Sequence, residues 1–592
     1  MKQFLLTVAG VFAGLVLFFV GVPFLLIAML ASSARPTPPP ATTVLQLDLR
    51  QAMSDQDSQS PLAAFGGRSN SVMGIIQALK RAEADSRVKA MLIRLPEGGL
   101  EPAAADELRL AIKSFRAAGK PVFAHSQGLY PSGISTATYM VGAAADQLWM
   151  QPASSLQSTG IASEDVFLKR LFDKYGVQAD FQQRYEYKNA VNPLLYSDYT
   201  DAHRESELAW MGSVYGSTLD LAAADRRLQP ASLRATLEAG PYSAEDAKAR
   251  GLIDKVGQLH DAETEILARA GKGAELLDIN DYRRRGSGSG RAARGKAAIA
   301  VITAEGEIVT GKSDNRALNQ QSGVFSDDVA QAFYDAIKDD EVKAIVFRIS
   351  SPGGSDTASE QILAAVRAAR AAKKPVVVSM GTYAASGGYW IASQADEIIA
   401  QPTTLTGSIG VFGGKIVVGD ALARYGVDMR GLSVGGEFAG AYANRQPFTA
   451  AQRTAISAWM DRIYEGFVAR VAEGRKLSPE RVREIAKGRV WTGAQAKELG
   501  LVDKIGGFYL ATAEAKRLGG LQGTVRLKLL PVKKSPFEVL ERVMGVSADG
   551  VRVLAAAGWV LGDPRAKGLM DELAHARLPA NGGMVLAPTP LP

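Results

Sequence analysis

The 592-residue sequence contains no cysteine, which excludes disulfides, thiolate nucleophiles and cysteine-based metal sites. Histidine is almost as scarce, with His125, His203, His260 and His575 the only four. Excess charge is also largely missing from the body of the chain. The net charge is +7, yet six of those charges (Arg283, Arg284, Arg285, Arg291, Arg294, Lys296) sit in "RRRGSGSGRAARGK", residues 283–296. Without that run the remainder is 7 − 6 = +1, too little for a nucleic-acid-binding surface. The run has no apolar residue but alanine, so it reads as a flexible basic linker. It lacks the GK[ST] ending of a phosphate loop. With 47% hydrophobic and 22% charged residues, the rest has ordinary globular composition. At roughly 100–200 residues per domain, it has length for more than one.

Charge is absent too from Phe4 to Ala31, "FLLTVAGVFAGLVLFFVGVPFLLIAMLA", 28 residues. A helix needs about 20 apolar residues to cross a bilayer core. A cleaved signal has an apolar region of only about 7–15. The run is therefore expected to be an uncleaved anchor, with a cut after Ser32-Ser33-Ala34 as the alternative. Lys2 places the three residues before it in the cytoplasm and the body outside.

The body contains itself twice. "RVKAMLIRLPEGG" from residue 87 returns as "EVKAIVFRISSPGG" from 341, and "AAGKPVFA" (117–124) as "AAKKPVVV" (371–378). "AADQLWMQP" (144–152) matches "QADEIIAQP" (394–402), "AWM" at 209 returns at 458, and "GLIDKVG" at 251 becomes "GLVDKIG" at 500. The offset drifts only from 254 through 250 to 249, so this is a tandem duplication. Continuous apolar runs such as "VKAIVFRI" alternate with helical patterns such as "TASEQILAAVRAARAA". That alternation predicts an α/β fold of βαβ units with a mostly parallel sheet in each copy.

The copies differ where chemistry would sit. In the second, the strand "KPVVVS" runs into "MGTYAASGGYWIAS", residues 380–393. Ser386 stands there at a small-residue turn before a helix, with Gly387 offering a free first-turn amide. These are the needs of a nucleophile beside an oxyanion site. The first copy has four extra residues, and Thr136 at the place of the serine. In "FQQRYEYKNAVNP", residues 181–193, the asymmetry reverses. Lys188 of the first copy aligns with Glu437, and the second copy has no lysine between Lys415 and Lys476. One copy keeps the serine and the other the lysine. A serine needs a base, and the histidines are poorly placed for it. His125 ends a strand of the degenerate copy, His203 starts a helix, and the other two read as surface. A lysine serves instead if burial lowers its amine from about 10.4 towards neutrality.

Together the anchor, the duplicated halves, "YKNAVNP", "SPGG", "ASGGYWIA" and "TGSIGVF" resemble the signal peptide peptidase A family in its long, two-domain bacterial form. That family comprises Ser/Lys peptidases of the ClpP/crotonase-like superfamily. The resemblance implies Ser386 as nucleophile, Lys188 as general base, and Ser408 of "TGSIG" as the residue assisting the lysine. It also implies an oxyanion loop at Gly353 and Gly354, with the Gly354 and Gly387 amides holding the oxyanion. Asn189 and Asn192 stand where the family often has serine or threonine and an acid. The expected order is a cytoplasmic N-terminus (1–3), anchor (4–31), lysine-bearing half (42–282), linker (283–296), serine-bearing half (297–530) and C-terminal extension (531–592). By resemblance the protein is a membrane-anchored endopeptidase degrading cleaved signal peptides and other membrane-derived peptides. It would sit in the bacterial inner membrane with a periplasmic body, as a homotetramer, without metal or cofactor. The partners are then peptide substrates, membrane lipid and further copies of the chain, not nucleic acid. A crotonase-like acyl-CoA hydratase or hydrolase, or an inactive membrane scaffold, are the alternatives.

Overall fold

The apolar runs of each copy become the central strands of a parallel sheet. The computed structural model describes residues 40–57, 70–286, 297–313 and 323–531, with a few positions among the first eighteen. The expected anchor at 4–31 lies outside them except at those positions, as does the extension after 531. Among the described residues no helix is long and apolar enough to cross a membrane. Both copies fall in one unit, Pro38–Lys533; the other, Met1–Thr37 with Lys534–Pro592, is almost wholly outside the described residues.

In the first copy the strand order is Lys255–Val256, Gln147–Met150, Val122–Ser126, Val88–Arg94, Thr43–Asp48, Glu275–Asp278, all parallel. The second repeats that order with Lys504–Ile505, Glu397–Ala400, Val376–Ala385, Val342–Ser351, Ala298–Glu305 and Arg526–Leu530. Its long strand Val376–Ala385 pairs first with Glu397–Ala400 and then, beyond Met380, with Leu405–Gly407. Leu405–Gly407 in turn takes the antiparallel strand Val490–Thr492, completing eight strands. Parallel strands are covered on both faces, which is why these segments read as continuous rather than alternating apolar runs.

The helix Asp356–Ala371 covers the second sheet, started by Ser355, whose side chain accepts from the Ala358 amide. Phe333, Phe347 and Leu363 fill one face of that sheet. Val301, Val346 and Val377 on its other face pack in one core with Leu45, Ile75, Leu79 and Phe115 of the first copy, all fully buried. The two halves are thus stacked through a shared interior.

One buried ion cluster crosses that interior. Arg348, 1% exposed, donates to Asp55 at 2.5 Å and to Glu107 at 3.0 Å. It also reaches Ser379 Oγ and the Met380 carbonyl. Glu305 accepts the amides of Asp55 and Gln56, and Glu107 accepts the Phe508 amide at 2.6 Å. The helix Ile279–Gly286 takes in the first four residues of the expected linker. Its Arg283 finds Asp57 at 2.5 Å.

Candidate active site

The strand Val376–Ala385 runs directly into Ser386, which has φ 54° and ψ −120° and precedes the short helix Gly387–Ala392. A non-glycine residue at positive φ costs on the order of 1–3 kcal/mol and persists only where its surroundings dictate it. Here the Ser386 amide donates to Gly407 O, and Ser386 O accepts from Trp390, both at 2.9 Å. The adjoining Gly353 has φ 112°, and a Cβ there would lie 2.7 Å from the Ser386 Cβ. Only glycine lets this loop approach the serine so closely. Ile308 holds the loop, donating to Gly353 O and accepting from Ser355, both at 2.8 Å. The Gly354 nitrogen would lie 3.2 Å from a Cβ on Gly387, so the two glycines adjoin each other at this turn. The amide of Gly387, in the first helical turn, has no intrahelical acceptor.

Lys188 arrives from the other half. The strand Gln178–Gln183 pairs antiparallel with Phe412–Val417 of the second copy, residue for residue from Gln178↔Val417 to Gln183↔Phe412. Arg184 continues it with its amide on Val411 O at 2.8 Å. The next residues dock on the second half, Tyr185 against Tyr464 at 4.7 Å between ring centroids and the Tyr187 amide on Lys487 O at 3.2 Å. Lys188 is 4% exposed. Its Nζ lies 3.2 Å from Ser386 Oγ and 2.9 Å from both the carbonyl and hydroxyl oxygens of Ser408. Burial alone lowers its amine to about 7. A neutral amine has two donors for the two Ser408 oxygens and one lone pair, which is left for the Ser386 hydroxyl. One chain brings the lysine and the serine together without help from a second copy.

The lysine's stem runs past two glycines that the sequence reading did not single out. A Cβ on Gly488 (φ 80°) would lie 2.5 Å from the Lys188 Cβ, and one on Gly410 3.2 Å from its Cδ. Gly488→Ala is expected to lower kcat roughly 100-fold by displacing the lysine, since displacements near 1 Å cost about that much. Steady-state kinetics beside a melting curve check this; unchanged kcat in a folded variant refutes it. A signal existed in "AKGRV", but the first copy carries its glycine one place later, at Gly240, so aligning the copies hid it. Asn192, fully buried, donates to Asn189 at 3.2 Å, so the two side chains support each other and not the amine.

The first copy is closed at the equivalent place. Its Gly99 amide donates at 2.6 Å to the carbonyl of Ser132, within the four extra residues. A Cβ on Gly99 would lie 2.2 Å from Ile134 N. Thr136 is fully buried and accepts from Thr218 Oγ1 at 3.2 Å. Glu437, opposite Lys188 in the repeat, accepts from Thr449 Oγ1 at the surface. Among the described residues no histidine bonds to Ser386. His125 Nε2 lies 3.1 Å from Gly257 O, and His203 packs against Tyr199. No acidic or histidine cluster of metal-holding geometry occurs among them either.

Comparison with known proteins gives the arrangement its relatives. The model of peptidase family S49 matches twice, at residues 114–272 and 368–522, once in each copy. "Protease 4" of Salmonella typhi is 34% identical over 467 residues, 76% of this chain and 73% of that protein. "Protease 4" of Haemophilus influenzae is 31% identical over 84% of this chain and 83% of its own. "Serine protease SPPA, chloroplastic" of Arabidopsis thaliana is 25% identical over 90% of this chain and 76% of its own. With the family model in both halves and these relatives along most of its length, the chain belongs to peptidase family S49 and is a serine endopeptidase of its long, two-domain type.

Proposed function

We propose that Ser386 is the nucleophile and Lys188 its general base, acting on signal peptides already released from their precursors and on other membrane-derived peptides. The observation that carries the dyad is the buried Lys188 amine at 3.2 Å from Ser386 Oγ, depressed to about 7. Neutral near physiological pH, the amine takes the hydroxyl proton as Oγ bonds to the scissile carbonyl carbon. The amides of Gly354 and Gly387, with Gly353 shaping the loop, receive the oxyanion. The ammonium is then held by Ser408, which keeps it aimed. It gives its proton to the leaving amine as the C–N bond breaks. Lys188 next takes a proton from water as its oxygen bonds to the acyl carbon, then returns that proton to Oγ as the acyl C–Oγ bond breaks, which restores Ser386.

The substrate class rests on the family resemblance and on the 28-residue apolar run at 4–31. Read as an inner-membrane anchor, that run holds the body at the periplasmic face, where released signal peptides lie. The halves are ClpP/crotonase-like in this reading, and four copies form a bowl admitting unfolded chains only. Exposed apolar side chains in the segment 425–442 support self-association, with Tyr425 71%, Leu432 103% and Val434 98% exposed. In this reading these side chains meet a second copy of the chain. The test treats wild type and Ser386→Ala with a fluorophosphonate probe and maps cleavage products of apolar peptides by mass spectrometry. Labelling at Ser386 and internal cuts are expected in wild type alone. Comparable cleavage by Ser386→Ala would overturn the dyad.

A further inference from the structure

The turn Lys487–Arg489 touches both of the groups that must stay aligned. On one side its Lys487 carbonyl accepts the Tyr187 amide, and Gly488 packs against the backbone of Lys188. On the other, Arg489 O accepts the Ser408 amide at 2.7 Å, and the Gly488 amide donates to Ile409 O at 2.9 Å. The Arg489 side chain then reaches back into the first half. Its guanidinium lies 4.8 Å from the Tyr187 ring and 4.3 Å from that of Trp491. Its two terminal nitrogens each sit 2.7 Å from a carboxylate oxygen of Glu205, on the helix Asp201–Arg226. Bidentate and stacked contacts are what a planar guanidinium makes and an ammonium does not.

We propose that Arg489 is a positioning residue for the dyad. By clamping Tyr187 and Glu205 to the turn that fixes Ser408, it holds the Lys188 amine dry and within reach of Ser386. Lys188 has four rotatable side-chain bonds, and its neighbour Tyr187 is the ring under the guanidinium. Loosening that ring admits water along the lysine stem. The charged groups facing the loop are paired: Glu186 with Lys487 at 3.0 Å, Arg184 with Asp461, and Glu205 with Arg489. None of them is a counter-ion for the buried amine, whose state is set by burial. Water admitted by a loosened clamp therefore raises its proton affinity.

The inference rests on the dyad reading above, and the two fail separately. The dyad fails if activity survives Ser386→Ala; this inference fails on a pH profile. In the full-length protein, Arg489→Met is expected to lower kcat roughly 10–100-fold with KM little changed. The acid limb of kcat/KM should move up by about one pH unit, because a better-hydrated lysine holds its proton longer. Arg489→Lys, keeping the charge without the fork, should shift the limb in the same direction. An unmoved limb overturns the proposal even if kcat falls, since that is the mark of a merely structural residue. If Arg489→Met does not fold, Glu205→Gln decides. Glu205 is half exposed, and freeing the same guanidinium from it must also move the limb upward; a superimposable profile overturns the proposal.

Discussion

Lys188→Met is expected to lower kcat/KM by roughly 10⁴-fold or more, the scale on which removing a base from a serine hydrolase acts. The same substitution should make the protein more stable near pH 7. The folded lysine titrates near 7 against an ordinary 10.5. Between those values the unfolded chain binds a proton that the folded chain does not. Wild-type stability therefore rises with pH from about 7 to about 10.5. Below 7 both states are protonated, the slope vanishes, and the cost of burying the amine is fully present. At 1.36 kcal/mol per pH unit over the 3.5 units between 7 and 10.5, that cost is about 5 kcal/mol. Methionine removes it but leaves two Ser408 oxygens without a donor, which returns about 1–3 kcal/mol. A net gain of roughly 2–4 kcal/mol is expected just below pH 7, fading towards pH 10. Denaturant unfolding across pH measures it, and a variant no more stable than wild type at pH 7 overturns it. In wild type, kcat/KM should climb through about pH 7 as the amine loses its proton; a profile flat from pH 5 to 8 would sink the lysine as base.

Arg348→Met should cost about 3–5 kcal/mol of stability, because it removes one side of a buried ionic cluster and strands the other. Asp55 and Glu107, both from the first half, would face the interior with no cation, beside Glu305. Activity should fall too. Arg348 lies five residues before Gly353 and bonds to Met380 O, on the strand that delivers Ser386. Urea unfolding checks the first part, and a variant as stable as wild type would show that the cluster is not needed to hold the halves together. Mutating Asp55 or Glu107 to its amide alongside Arg348→Met should recover part of the loss.

Much of this architecture was legible because the chain carries two versions of one plan. The repeat revealed the parallel sheets, since "VKAIVFRI" and "VKAMLIR" have the unbroken apolar character of strands buried on both faces. Comparing what each version lacked brought out Ser386 and Lys188, 198 residues apart in the chain (386 − 188) but with Nζ and Oγ 3.2 Å apart in space. Features that depend on one half meeting the other were hidden. Nothing local marks Arg348 as the partner of Asp55 and Glu107, 293 and 241 residues away. The offset change disclosed four extra residues before Thr136, but not that the Ser132 carbonyl would occupy the Gly99 amide. At 283–296 composition suggested a linker from the first arginine. The helix runs on to Gly286, where Arg283 meets Asp57 and Asn280, partners invisible to a composition argument.

The antiparallel pairing of Gln178–Gln183 with Phe412–Val417 has a consequence for stoichiometry. It joins two segments of a single polypeptide, so Lys188 is tethered to Ser386 and the encounter between them is unimolecular. Dilution that separates the copies of an assembly leaves that encounter intact, and association can then serve to enclose the substrate instead of building the chemistry. On the proposed dyad the two halves share one reactive centre, so the duplicated chain carries one turnover unit, not two.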